Sequence, residues 1–185
     1  METVVIILLG FVFALGSLLA YLYYIKPTMD AEIDKPVFIP PEPEPQLTNA
    51  EKLVKVAVAL LGKDASPMQL SPQELSCAEG VSFIIHQVFP DFPANVVSTI
   101  ELDSILDNSP HYFKDTKLPG EGCIIISPRE DEKPGHCGIF VTNREIASND
   151  SATGLFISNY TWDSWVKTFR EKRGLKHIFL YQPLG

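Results

Sequence analysis

The chain has 185 residues, enough for one domain of ordinary size with little left for a second. Its formal net charge is −8, and Glu2 is the only charged side chain before Lys26, so the acidity belongs to the remainder of the chain. That balance argues against nucleic acid and anionic headgroups as partners, since both require clustered positive charge.

The first element is apolar. From Val4 to Ile25 no residue is charged, and the run is 22 residues long. As a helix it would reach about 33 Å, against a hydrocarbon core of about 30 Å. A cleaved signal peptide would want a basic start and a small-residue cleavage site, whereas Met1-Glu2-Thr3 opens this run and Tyr21, Tyr23, Tyr24 and Lys26 close it like an interfacial belt. Residues 1–26 are therefore expected to be a single transmembrane anchor, with the bilayer as a partner. Lys26, the one basic residue at either end, favours the cytoplasmic side for the rest of the chain, but Asp30, Glu32 and Asp34 follow it closely and the side is left open. Residues 27–46 carry Pro27, Pro36, Pro40, Pro41, Pro43 and Pro45 and are expected to form an extended, polyproline-like spacer.

Residues 47–185 are expected to be the folded domain. Thr48-Asn-Ala-Glu51 spells a capping box ahead of Leu53, Val54, Val56, Ala57, Leu60 and Leu61, and Gly62 stops that helix. Ser76-Cys-Ala-Glu79 spells a second box, and Cys77, Val81, Ile84, Ile85 and Val88 recur at helical spacing up to Phe89-Pro90. A short helix is expected within Val96 to Leu106. The period then changes to that of strands: Gly122 to Ile126, His136 to Thr142, Glu145 to Ser148 and Gly154 to Tyr160. A helix from Thr161 or Asp163 to Phe169 would turn Trp162, Trp165, Val166 and Phe169 inward, and His177 to Tyr181 would close the sheet. Helices first and short strands after them predict an α+β fold, N-terminal helices packed on a small antiparallel sheet.

Three residues stand out chemically. Cys77 falls at the first position of its helix, where unpaired N–H groups and the positive end of the helix dipole favour a thiolate and can receive an oxyanion. Against this, cysteine is commonly a buried small hydrophobe, and Cys77 also lies on the apolar stripe. His136 begins a strand after a Lys-Pro-Gly turn and is the candidate general base, with Gly138 expected to leave space beside the ring. A third residue must orient that imidazole, and Asn149 or Asp150 on the next strand is within reach, although Ser148-Asn-Asp-Ser151 is also turn chemistry. Cys77, Cys123 and Cys137 are an odd count with no close pair, which leaves a free thiol and room for a Cys123–Cys137 bridge. The Cys-x2–4-Cys knuckle of a zinc site is missing, and His136 and Cys137 would point to opposite faces, so no metal and no cofactor is expected. Trp162 and Trp165 could line a groove, but at helical spacing an aromatic pair is more often core.

Ser76-Cys-Ala-Glu-Gly-Val-Ser82, Gly135-His-Cys-Gly-Ile-Phe140 and Ile146-Ala-Ser-Asn149 together resemble the papain-like cell-wall amidases and peptidases of the NlpC and CHAP types. There a cysteine begins a helix packed on an antiparallel sheet, the histidine begins a strand in a Gly-His-x-Gly-Ile-Tyr-like motif, and a polar residue comes about a dozen positions later. The resemblance covers roughly Thr48 to Tyr181. It implies a papain-like fold, with Cys77 as nucleophile, His136 as base and Asn149 as orienting residue. It further implies an amide of peptidoglycan as substrate, in the stem peptide or at the sugar-linked position, and a location in a bacterial envelope or the membrane of a bacterial virus. Two departures stand beside it: Ser-Cys-Ala-Glu replaces the common Asp-Cys-Ser-Gly, and the third residue is Asn where many relatives have His. The alternatives are a non-catalytic module that keeps the papain-like shape, and a cysteine hydrolase for a different amide or a thioester.

Overall fold

A computed structural model describes residues 17–25, 46–72 and 75–185. The chain divides into two compact units, Met1–Glu44 and Pro45–Gly185. In the first unit, residues 17–20 are helical and Tyr21–Ile25 form a π-helical turn, with Leu18, Leu19 and Tyr23 exposed. Among the described residues no helix is long and apolar enough to cross a membrane. That finding corrects the expected fold class in its transmembrane helix, and with it the expected localisation as a single-pass membrane protein. Residues 4–16 of the apolar run, Lys26 and the proline-rich stretch up to Pro45 lie outside the described residues.

The second unit opens with α1 (Asn49–Leu60), held by the capping box its sequence spells. The Glu51 N–H donates to Thr48 Oγ1 at 3.3 Å, and the Thr48 N–H donates to Glu51 Oε2 at 2.7 Å. Gly62, at φ +75°, then turns the chain out of the helix. The next elements are α2 (Cys77–Val88), α3 (Thr99–Asp107), β1 (Phe113–Asp115), β2 (Ile124–Ser127), β3 (His136–Phe140), β4 (Glu145–Asp150), β5 (Leu155–Thr161), α4 (Trp162–Trp165), which runs on as a π-helix (Val166–Lys172), and β6 (Phe179–Pro183). The strand β1 has no counterpart in the sequence pattern, because three residues are too few to show a period.

The six strands form one sheet in the order β1-β6-β2-β3-β4-β5, every pair antiparallel. Strands β2 to β5 are a meander, and β6 returns to lie between β1 and β2. Alternation along the strands divides the core in two. Ile124, Ile126, Cys137, Ile139, Ala147, Phe156 and Tyr181 face α1, α2 and α3. Cys123, Ile125, Phe140, Ile146 and Leu180 face Trp165 and Phe169 of the C-terminal helix. The domain is thus helices on both faces of an antiparallel sheet, the α+β class.

This layering rules out the bridge that two cysteines left open. Cys123 and Cys137 sit in different core clusters on opposite faces of the sheet, and all three cysteines are free. The Cys123 thiol instead donates to Gln182 Oε1 at 2.8 Å.

Candidate active site

Cys77 is the first residue of α2, as its spacing predicts, but the cap before it is built differently. The Ser76 side chain makes no capping hydrogen bond. Glu79 is turned away to a completely buried position, where its carboxylate accepts from Ser66 Oγ at 2.8 Å, Met68 N at 2.8 Å and Ser71 N at 3.0 Å. The loop wraps the carboxylate closely enough to hold Gln69 at φ +55°. Burial by itself would raise the Glu79 carboxyl, but hydrogen bonds from Ser71, Ser66 and the Met68 and Leu70 amides outweigh it and leave the group below its ordinary value. Gly80 lets the same loop approach, since a Cβ there would meet Ala65 O at 2.9 Å. The buried Glu79 therefore anchors the chain around the helix start that carries Cys77.

His136 heads β3, directly after Gly135, where the backbone is tightly enclosed. A Cβ on Gly135 would collide with both Arg129 N and Thr99 Oγ1. The imidazole is boxed by aromatic rings: Phe169 at 5.0 Å and Trp165 at 5.3 Å stack on it, and Tyr160 meets it edge-on at 5.8 Å. Trp165 is fully buried, and its Nε1 donates to Ser127 Oγ at 3.0 Å, so it forms the wall behind the histidine and does not line the cleft.

Cys77 and His136 meet at one cleft of about 560 Å³, which Asn149 and Tyr160 also line. The Cys77 thiol is held well below the ordinary thiol value. A hydrogen bond from the Cys137 thiol is the largest cause, and the charge and hydrogen bond of His136 add to it against the cost of burial. Cys137, buried beneath it, is pushed well above the ordinary value by desolvation. Of the two sulfurs, Cys77 is the one whose thiolate is favoured.

The other side of the ring is engaged by Ser148. His136 Nε2 lies 3.0 Å from Ser148 Oγ, and that hydroxyl donates to Asn159 Oδ1 at 2.8 Å. A hydroxyl has one proton, and an amide oxygen can only accept, so Ser148 must accept the Nε2–H of His136. The neutral ring is then protonated at Nε2, which leaves Nδ1 as the basic nitrogen. Two backbone details make the chain of contacts fit. Gly138 pairs with Ser148 across β3 and β4, and a Cβ on Gly138 would come within 2.7 Å of Ala147 O and 3.1 Å of Ser148 Cβ. The glycine thus admits β4 closely, a correction to the expected open space beside the imidazole. Asn159 is the extra residue of a β-bulge: Ile146 pairs with Tyr160 and Ala147 with Ser158, so Asn159 has no partner position and can turn toward Ser148.

Asn149 and Asp150 occupy other places. Asn149 pairs with Phe156 of the helix-facing core, on the opposite face of β4 from Ser148, so the Nε2 hydrogen bond does not go to it. It is buried and lines the cleft on the Cys77 side. Asp150 closes the turn into β5, accepting from Thr153 Oγ1 at 2.6 Å. No family model and no curated protein matches this chain. Among the described residues no group of three or more His, Cys, Asp or Glu is arranged to hold a metal ion.

Ser148 and Asn159 are the residues the sequence pattern missed. Strand alternation places Ser148 on the same face as His136 once Gly138 and Ser148 are known to pair, but the pairing spans ten residues and a turn. The bulge at Asn159 leaves no mark in the alternation of β5.

Proposed function

We propose that the chain is a cysteine hydrolase of amide bonds, in the manner of the papain-like cell-wall enzymes its motifs resemble. The observation that carries this reading is the single cleft that joins a Cys77 thiol of depressed pKa to His136, whose ring is oriented through Ser148. Nδ1 of His136 takes the Cys77 proton, and the thiolate attacks the carbonyl carbon of the substrate. The first-turn N–H groups of α2, which have no acceptor within the helix, face the developing oxyanion. The imidazolium then protonates the leaving amine, and a water deprotonated by the same nitrogen releases the acyl group from sulfur. Ser148 and Asn159 hold the ring in the tautomer that each step needs. Peptidoglycan is the substrate class the motifs suggest.

The test is digestion of purified peptidoglycan by the wild-type chain and by Cys77→Ala and His136→Ala, with soluble fragments read by mass spectrometry. Release by the wild type and loss in both variants is expected, with circular dichroism showing each variant folded. Undiminished release by Cys77→Ala would overturn the reading. A second reading, a binding module of the same shape without turnover, is favoured by the 8% exposure of Cys77. It predicts that iodoacetamide leaves Cys77 unmodified at neutral pH.

A further inference from the structure

We infer that the cleft selects amides whose leaving amine carries a carboxylate, an inference that rests on the hydrolase reading above. The direction of the substrate follows from the chemistry. His136 must hand its proton to the departing nitrogen, so the leaving group lies on the His136 side of the Cys77 sulfur. Two arginines line the cleft on that side. Arg173 is 4.8 Å over the ring of Phe169, which itself stacks on His136, and its Nη1 reaches Pro134 O at 3.4 Å, two residues before the histidine. Arg129 lies against Gly135, its N–H donating to Thr99 Oγ1 at 3.1 Å and its Nε to Asp131 O at 3.1 Å.

Both guanidinium groups use backbone carbonyls and neither is paired with a carboxylate among the described residues. In a chain of net charge −8, two arginines line the cleft beside His136. Glu132 also lines the cleft, and Asp150, between the lining residues Asn149 and Ser151, acts on His136 through its charge, so these two carboxylates oppose the arginines. A guanidinium that keeps free N–H groups in its plane is suited to a carboxylate taken in bidentate fashion. The carboxylate is either the terminal one of the leaving residue or an acidic side chain on it.

The potential at the sulfur is read first with two alkylating probes, anionic iodoacetate and neutral iodoacetamide, as the ratio of their rates at Cys77. Each charge should change that ratio by about threefold, the size of an interaction between unit charges several ångströms apart in a solvated cleft. Arg129→Gln and Arg173→Gln should lower the ratio, and Glu132→Gln should raise it, a gain that a misfolded variant cannot imitate. An equal ratio in all four proteins overturns the inference while leaving the hydrolase intact. A Cys77 that iodoacetamide does not label overturns both. In the peptidoglycan digest, the newly exposed amino group should belong to a residue with a free carboxylate. Free α-carboxylates at that residue point to the terminal source and free side-chain carboxylates to the other. A residue with every carboxylate amidated overturns the inference.

Discussion

Replacing Ser148 by alanine removes one oxygen that makes two hydrogen bonds, at 3.0 Å to His136 Nε2 and 2.8 Å to Asn159 Oδ1. The histidine remains walled by Phe169, Trp165 and Tyr160, whose ring atoms accept nothing of comparable strength. A hydrogen bond to a charged group contributes about 1.5–3 kcal/mol and one to a neutral group about 0.5–1.5, so losing the acceptor costs the charge-separated Cys77–His136 pair about 1–1.5 kcal/mol more than the neutral pair. The charge and hydrogen bond of His136 are among the causes that hold the Cys77 thiol down, so the thiolate should become about 5- to 13-fold less favoured. The assay is the rate of iodoacetamide labelling of Cys77 as a function of pH. In the wild type the midpoint should fall well under the ordinary thiol value of about 8.5. In Ser148→Ala it should rise toward that value, with neutral-pH labelling reduced about 5- to 13-fold and restored in alkali. Ser148→Thr, which keeps the hydroxyl, should return the midpoint to that of the wild type. An unchanged pH profile in Ser148→Ala would refute the assignment of Ser148 as the group that orients His136.

Cys137→Ala removes the largest stabiliser of the Cys77 thiolate, and a thiol donor is weak, so the labelling midpoint should rise by about one pH unit. Glu79→Ala strips the acceptor from several buried donors of the 66–71 loop and should destabilise the fold by about 3–5 kcal/mol in urea denaturation. The Glu79 carboxyl is depressed in the folded state, so its contribution is complete above the unfolded carboxyl value and is lost as pH falls through the folded one. Wild-type stability should therefore fall below the usual carboxyl range more steeply than that of Glu79→Gln. Gly138→Ala places a methyl against Ala147 O and Ser148 Cβ, forcing β4 outward. It should cost about 1–3 kcal/mol of stability by overpacking, measured by urea denaturation.

The features legible along the chain were those that depend on neighbours a few residues apart. The Thr48 and Glu51 capping box, the placement of Cys77 at a helix start and of His136 at a strand start, and the change from helical to strand period all arise from contacts within about four residues. The same local logic misjudged Ser76 and Glu79. A capping box and a buried anchor for a preceding loop use the same residue types, and the loop decided between them. Mean apolarity over 4–25 suggested a span, yet hydropathy measures composition and not helix length, and among the described residues no helix is long and apolar enough to cross a membrane.

The identity of the candidate nucleophile and base was therefore determined by the sequence, because helix and strand ends are local properties. Which hydroxyl orients the base, which thiol steadies the nucleophile and which arginines flank them were decided only by the tertiary structure. Each of those depends on strand register, on a one-residue bulge or on the sheet face a side chain occupies, and these arise from pairings between segments that are distant along the chain.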